Sequence, residues 1–298
     1  MRVFVTGASG FIGSAVLPEL IGAGHQVVGL ARSDASADAI TASGARVQRG
    51  DLNDPDSLRA GAEEADGVIH LAYIHDFSQP VAAAQADLRA IETFGAALAG
   101  SDRPLVIASG VVGLAAGRVA TEDDLPEGGV QPRVAAAQVA LDLAARGVRS
   151  AVVRLAPTVH GEGDHGFIAA LIGIAREKGV SGYIGSGENR WPAVHVQDAA
   201  RLFRLTLEGA PAGSVVHGIA DEGVPTREIA EVIGRHLDVP VVSVPGEAAE
   251  AHFGWLGRFF AADVPASSAL TRQRLGWQPT HPGLLEDLEQ GHYFLNPA

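Results

Sequence analysis

The 298-residue sequence contains no cysteine, which excludes disulfides, thiolate metal sites and a cysteine nucleophile. Lysine occurs once, at Lys178, so nearly all of the 22 basic residues are arginine. Aromatic residues make up only 5% of the chain and the charges are scattered, which gives no positive sign of a protein-partner surface. No apolar run approaches the ~20 residues that cross a bilayer. Met1 leads directly into an apolar run, leaving no room for an export signal, and a cytoplasmic location is expected. The net charge of −13 opposes nucleic-acid binding, which needs a basic footprint.

What is present is an alternation of apolar runs and helical patterns. The runs are Arg2–Thr6, Gln26–Ala31, Ala45–Gln48, Gly67–Ala72, Leu105–Ala108 and Ser150–Leu155. Helical patterns lie near Gly10–Ala23, Pro55–Glu64, Val81–Leu98 and Val134–Ala145. Continuous apolar strands separated by helices predict an α/β fold, a doubly wound parallel sheet (Rossmann fold) covered on both faces. After Pro157 the alternation breaks at Gly161-Glu162-Gly163-Asp164. A helix over Phe167–Arg176, a loop over Gly182–Gly187, a helix over Val196–Leu207 and a strand over Val215–Ile219 are expected. The tail reads as helices over Thr226–Leu237, Gly246–Phe260, Ser267–Leu275 and Pro282–Glu289. The expected organisation is a dinucleotide-binding domain of residues 1–157 and 193–220. A smaller, mostly helical C-terminal substrate lobe takes residues 158–192 and 221–298.

The segment Thr6-Gly7-Ala8-Ser9-Gly10-Phe11-Ile12-Gly13 sits at the first strand-to-helix turn. That arrangement sets backbone N–H groups and a positive helix end against a pyrophosphate. Gly7, Ser9, Gly10, Phe11, Ile12 and Gly13 are the candidate contacts. Asp51 and Leu52 close the third strand, where a carboxylate meets an adenine amino group. Leu71, Ala72 and Tyr73 end the fourth, where a small residue leaves room for a ribose. An enzyme selective for NAD carries Asp or Glu about 20 residues after the glycines. Here the slot reads Leu30-Ala31-Arg32-Ser33, so Arg32 and Ser33 favour NADP(H) over NAD(H) by holding a 2′-phosphate. Asp34 beside them is the contrary sign.

These segments, with Ser109, Arg154–Gly161 and Trp191–Asp198, resemble the extended short-chain dehydrogenase/reductase family, which includes NAD-dependent epimerases, dehydratases and ketone reductases. Arg154-Leu155-Ala156-Pro157-Thr158-Val159-His160-Gly161 resembles its Arg-Pro-x-x-Val-Tyr-Gly segment, and Leu275-Gly276-Trp277-Gln278-Pro279 its closing motif. The resemblance implies a catalytic Tyr followed four residues later by Lys, which lowers the phenol from its ordinary value of about 10. By alignment the pair falls on Val130 and Val134, and no Tyr occurs between Tyr73 and Tyr183. The chain therefore reads as an atypical member without the pair.

The resemblance places a substrate-orienting hydroxyl at Ser109, or at its neighbour in register, although a serine also simply closes strands. A replacement proton donor is sought in Tyr73-Ile74-His75-Asp76, where Tyr73, or His75 oriented by Asp76, could act; a plain polar turn is the competing reading. His160, Tyr183 and Trp191 are candidate pocket residues, each also at home in a structural role. His160, Glu162, Asp164 and His165 have the composition of a metal cluster but lack helical pairing, so no metal is expected. The function expected is an NADP(H)-dependent oxidoreductase reducing a small carbonyl, imine or activated alkene, with a non-standard proton donor. The alternatives are a sugar-nucleotide epimerase or dehydratase, and a non-catalytic NADP(H)-binding regulator. A small-molecule substrate is expected, with neither membrane nor nucleic acid as partner. Alanine-rich Val81–Leu98 and Val134–Ala145 make a homodimer the expected assembly, though packing against the chain's own sheet explains the same alanines.

Overall fold

The computed structural model describes residues 1–74, 79–115, 117–125 and 132–295. The strands are β1 (Arg2–Thr6), β2 (Gln26–Ala31), β3 (Arg46–Arg49), β4 (Gly67–His70), β5 (Pro104–Gly110), β6 (Arg149–Leu155), β7 (Thr158–His160), β8 (Ser181–Ile184), β9 (Arg190–His195), β10 (Ser214–Gly218), β11 (Asp221–Pro225) and β12 (Val241–Val244). The helices of the first half are α1 (Phe11–Gly22), α2 (Asp34–Ala42), α3 (Pro55–Glu63), α4 (Pro80–Leu98) and α5 (Pro132–Asp142). Those of the second half are α6 (Phe167–Lys178), α7 (Val196–Gly209), α8 (Thr226–Leu237), α9 (Ala249–Phe253), α10 (Gly257–Phe260), α11 (Ala269–Leu275) and α12 (Leu284–Glu289).

Seven strands form one parallel sheet in the order β3-β2-β1-β4-β5-β6-β10. The order reverses direction at β1, with β2 on one side and β4 on the other, and that crevice at the carboxyl ends is where doubly wound sheets hold ligands. Strands β1, β4 and β6 are almost entirely buried because helices cover both faces. Val3, Val5 and Ile69 face one apolar layer; Phe4, Val68 and Leu105 face the other. The two layers follow from the alternation of side chains along a strand.

A third apolar cluster, centred on Ile168, Trp191, Ile229, Phe253 and Phe260, belongs to the C-terminal lobe. Two small sheets serve it, β7-β9-β11 and β8-β12. Two expectations need correction here. Half of the loop expected at Gly182–Gly187 is strand β8, paired in parallel with β12. A four-residue strand containing glycine shows little pattern of its own, and its partner lies about sixty residues downstream. The helix expected over Gly246–Phe260 is broken into 3₁₀ turns and the short helices α9 and α10. Gly254 takes φ +58°, in the left-handed region, and stops the run. Helix α2 went unread because Ser33, taken as a cofactor residue, is its N-cap, accepting from the Ser36 N–H at 3.2 Å.

The end of β10 is closed by the tail. His217 is fully buried; its Nδ1 donates to the Ser267 carbonyl at 2.8 Å, and its backbone N–H donates to Thr271 at 2.7 Å. Burial pushes the His217 imidazole below its ordinary value, helped by the Arg154 charge and opposed by the Ser267 bond and by Glu122 and Asp124. A histidine held neutral in the fold stabilises above its unfolded pKa, and that contribution is lost as pH falls through about 6.5, where the unfolded chain takes up the proton. Burial depresses His195 and His252 in the same sense. The melting temperature is therefore expected to fall between about pH 7.5 and pH 5.5. In His217→Phe the slope over that window should be shallower, measured by calorimetry; an unchanged slope would contradict the assignment.

Candidate active site

The glycine-rich turn joins β1 to α1, and its three glycines do different work. Gly7 has φ +67°, and a Cβ there would lie 2.7 Å from the backbone N of Ala72 and C of Leu71. It lets the turn pack directly on the end of β4. At Gly13 a Cβ would sit 2.1 Å from the Gly7 carbonyl oxygen, so α1 can rest on the turn only without a side chain. Gly10 is different: it is exposed, and a Cβ there would meet only the Gly7 oxygen, tightly, at 3.3 Å. No side chain caps the α1 N-terminus at Gly10. Its N–H groups fit an anionic diphosphate.

A buried polar chain holds the floor of this turn. Thr6 Oγ1 accepts from the Ala72 N–H at 3.2 Å and lies 2.6 Å from His70 Nδ1. His70 Nε2 lies 3.1 Å from Asp87 on α4. With the threonine oxygen accepting from Ala72, its proton goes to Nδ1, leaving Nε2–H to donate to the carboxylate. The chain fixes β1, β4 and α4 together beneath the glycine turn. Sequence reasoning passed over it: His70 was read only as part of the strand end, although a histidine among apolar residues needs polar partners.

At the end of β2 the Arg32 side chain is 80% exposed and reaches to 3.8 Å from Asp51. Asp34 is drawn aside by an ion pair with Arg49 at the end of β3. This leaves Arg32 facing outward, with no acidic residue in the last two positions of β2. Ser33 is partly committed, since its hydroxyl caps α2 and donates to Ser36. Asp51 also accepts from the backbone and side chain of Asn53 at 2.8 and 3.1 Å. Leu52 packs at the edge of the lower apolar layer.

Ser109 ends β5 beside Arg154 of β6, half-buried, and Tyr73 follows Ala72 just beyond β4. His75, Asp76 and Val130 lie outside the described residues. Helix α5 contains neither tyrosine nor lysine. Lys178 ends α6, and Tyr183 lies on β8 with its hydroxyl accepting from Arg227 at 3.2 Å. Arg154 serves the loop rather than a ligand: it is buried and donates to the Asp124 carbonyl at 2.9 Å. The Arg118 hydrogen bond, with the Thr121 N–H, holds the Asp124 carboxyl well below the carboxylate range and ties off the same loop.

Two expected pocket residues are corrected. His160 has no exposed surface; its Nδ1 meets Asp287 of α12 at 2.8 Å. Trp191 is buried and donates its indole N–H to the Ala262 carbonyl at 3.1 Å. His160 Nε2 is buried with no hydrogen-bond partner among the described residues, and its ring lies edge-on to His195 at 5.4 Å. Neither His160 nor Trp191 has exposed surface to offer. The neighbouring Asp164 accepts from Tyr293 at 2.9 Å and from the Gly166 N–H at 2.6 Å, which fixes loop 161–166 to the tail. Burial raises both the Asp164 carboxyl and the Tyr293 phenol above their ordinary values, so Tyr293 is no ready proton donor. His165 leaves that loop exposed, its ring 5.9 Å from Phe11 at the start of α1. His165 thus reaches the glycine turn from the other lobe, a contact that neither residue's local sequence signals.

The match to known proteins agrees with this geometry. The model of the NAD dependent epimerase/dehydratase family matches residues 3–217, and the chain belongs to that family. An uncharacterized protein of Schizosaccharomyces pombe is 49% identical over 99% of this chain and all of its own length. The 4-hydroxy-2-methyl-3-oxo-4-farnesyl-3,4-dihydroquinoline-1-oxide ketoreductase of Stigmatella aurantiaca is 28% identical, covering 89% of this chain and 84% of its own. The structure of MoeE5 in complex with UDP-glucose and NAD superposes with a TM-score of 0.77 at 25% identity, covering 98% and 97% of the two chains. The family and the reductase-named relative identify an NAD(P)-dependent oxidoreductase-like or epimerase-like protein.

Gly13→Ala tests the close packing at the turn. It should lower stability by about 1–3 kcal/mol, the usual cost of overpacking. It should also weaken dinucleotide binding more than an equally destabilising core substitution does, measured by thermal melts and calorimetric titration. Unchanged affinity would mean that α1 does not depend on that contact.

Proposed function

We propose that this protein is an NADP(H)-dependent oxidoreductase that reduces a small carbonyl, imine or activated alkene without the Tyr–Lys pair. The observation that carries the reading is the end of β2: Arg32 is exposed, paired only at 3.8 Å with Asp51, while Asp34 pairs with Arg49. A guanidinium there attracts a 2′-phosphate, whereas NAD selectivity calls for a carboxylate. The backbone from Gly7 through Ser9, Gly10, Phe11, Ile12 and Gly13 would bind the diphosphate. Arg32 and Ser33 would hold the 2′-phosphate, Asp51 and Leu52 the adenine, and Leu71, Ala72 and Tyr73 the ribose.

Bound there, the cofactor supplies a hydride. The chain's own work is to orient the acceptor, exclude water and deliver a proton. Ser109, at the carboxyl end of β5, would orient the acceptor oxygen. Tyr73, His75 and Asp76 follow β4 in sequence, and the proton would come from this segment or from water.

The epimerase reading has the family and the UDP-glucose of MoeE5 in its favour. A nucleotide-sugar would bring a second diphosphate and invite basic residues of the C-terminal part. Arg190, Arg258 and Arg272 are the candidates, of which Arg258 is exposed on α10 and the other two are committed internally. Arg190 pairs with Asp263 at 2.9 Å, and Arg272 bonds to Ser268 and the Ile219 carbonyl. The regulatory reading requires a partner whose binding follows cofactor occupancy, and nothing in the charge pattern supports one.

Arg32→Glu is expected to weaken NADPH binding by about tenfold or more, the equivalent of one charge-assisted hydrogen bond, while NADH binding holds or improves. Calorimetry with both cofactors checks it. Equal losses for both would show that Arg32 does not read the 2′-phosphate. The activity itself fails if NADPH binds but no member of a carbonyl, imine and enone panel oxidises it.

A further inference from the structure

Several histidines of the C-terminal part are committed to carboxylates: His160 and His292 to Asp287, His281 to Asp198 and His236 to Glu289. His165 is placed differently. It is exposed, and its ring meets the ring of Phe11 edge-on, with centroids 5.9 Å apart and planes at 73°. Phe11 is the first residue of α1 and follows Gly10, which is exposed and caps the helix with no side chain. A diphosphate on that helix end has Phe11 beside it, and Phe11 has His165.

The backbone on either side of His165 is pinned. Asp164 accepts from the Gly166 N–H at 2.6 Å and from the Tyr293 hydroxyl at 2.9 Å. The Tyr293 oxygen in turn accepts from the Gly161 N–H at 3.1 Å. The tail thus holds the loop from within the lobe while His165 stays outside, against the other lobe's glycine turn.

The ring's own bonding narrows what it can take. Its Nδ1 faces the Gly163 carbonyl at 3.4 Å, and a carbonyl only accepts, so Nδ1 carries a hydrogen and donates. Nε2 is then a bare acceptor in the neutral ring, which an anion repels. In the imidazolium it becomes a donor bearing charge, which a phosphate oxygen attracts. The charges nearby are Asp164, whose carboxyl feels the His165 charge, and Glu162, exposed on the same loop. Tyr293 lies behind Asp164, and the first turn of α1 carries no acidic residue.

We propose that His165, as the imidazolium, binds the diphosphate of the dinucleotide from the second lobe, so that filling the site takes up a proton from solvent. The inference rests on the dinucleotide-binding part of the proposed function and not on its reductase chemistry. Binding and protonation are then linked reciprocally: each favours the other by the same factor.

Calorimetric titration with NADP⁺, NAD⁺ and ADP-ribose tests it, since all three carry the diphosphate and only the first carries the 2′-phosphate. His165→Gln should weaken all three by roughly fivefold, the equivalent of one hydrogen bond. The melting temperature should hold, because the side chain is exposed. His165→Arg replaces the cation and should restore the affinity. At about pH 7.5 the native protein should take up protons on binding, seen as a heat that differs between phosphate and Tris buffers, and His165→Gln should not. Undiminished affinity in His165→Gln overturns the proposal. A loss confined to NADP⁺ would move the contact to the 2′-phosphate, and one that spares ADP-ribose would move it to the nicotinamide; either overturns it. So does proton uptake that persists in His165→Gln, or a loss of affinity that arginine leaves in place. Binding as expected without NADPH oxidation would refute the reductase reading and leave the role of His165 standing. Tighter binding of NAD⁺ than of NADP⁺ would refute the Arg32 assignment alone.

Discussion

A single methyl group on residue 13 would come within 2.1 Å of the Gly7 carbonyl oxygen. Because it is absent, α1 lies directly on the turn that precedes it, and the turn lies directly on the end of β4. The Thr6–His70–Asp87 chain ties β1, β4 and α4 together beneath the turn. Backbone meets backbone there without intervening side chains, so the N-terminus of α1 points into the crevice where the strand order reverses.

The same constraint separates binding from chemistry. A close-packed turn of this kind needs only glycines and a satisfied polar floor, and both are present. Proton transfer needs a titrating group of the right value within reach of the substrate. Helix α5 carries neither tyrosine nor lysine, and the tail tyrosine is pushed up by burial and tied to Asp164. The lobe above has invested its histidines elsewhere: His160 and His292 both serve Asp287, whose carboxyl burial would raise but whose two imidazole partners hold it low. His281 and two backbone N–H groups serve Asp198. These clusters fasten the C-terminal tail to α7 and β7, which is what the Trp191–Asp198 and Leu275–Pro279 segments share.

The main sheet was legible because buried parallel strands write themselves as apolar runs, and β1 and β2 were read to the residue. The glycine turn was legible because its demands are local. What could not be read depended on distant partners. Strand β8 exists because β12 pairs with it. His160 and Trp191 looked like pocket residues because polar and aromatic side chains near a predicted cleft suggest contact. Their actual partners, Asp287 and Ala262, lie far along the chain. His165 reaches the first helix across more than 150 positions, a distance no local pattern encodes.

The central claim is that a site without the Tyr–Lys pair still directs hydride from NADPH to a carbonyl carbon. The direct measurement is mass spectrometry of the alcohol formed from a ketone of the carbonyl panel with NADPH deuterated at one face of nicotinamide C4. The account predicts one deuterium at the carbinol carbon from one face of the cofactor and none from the other. Alcohol without deuterium from either face, or NADPH held at the site and never consumed, would contradict it.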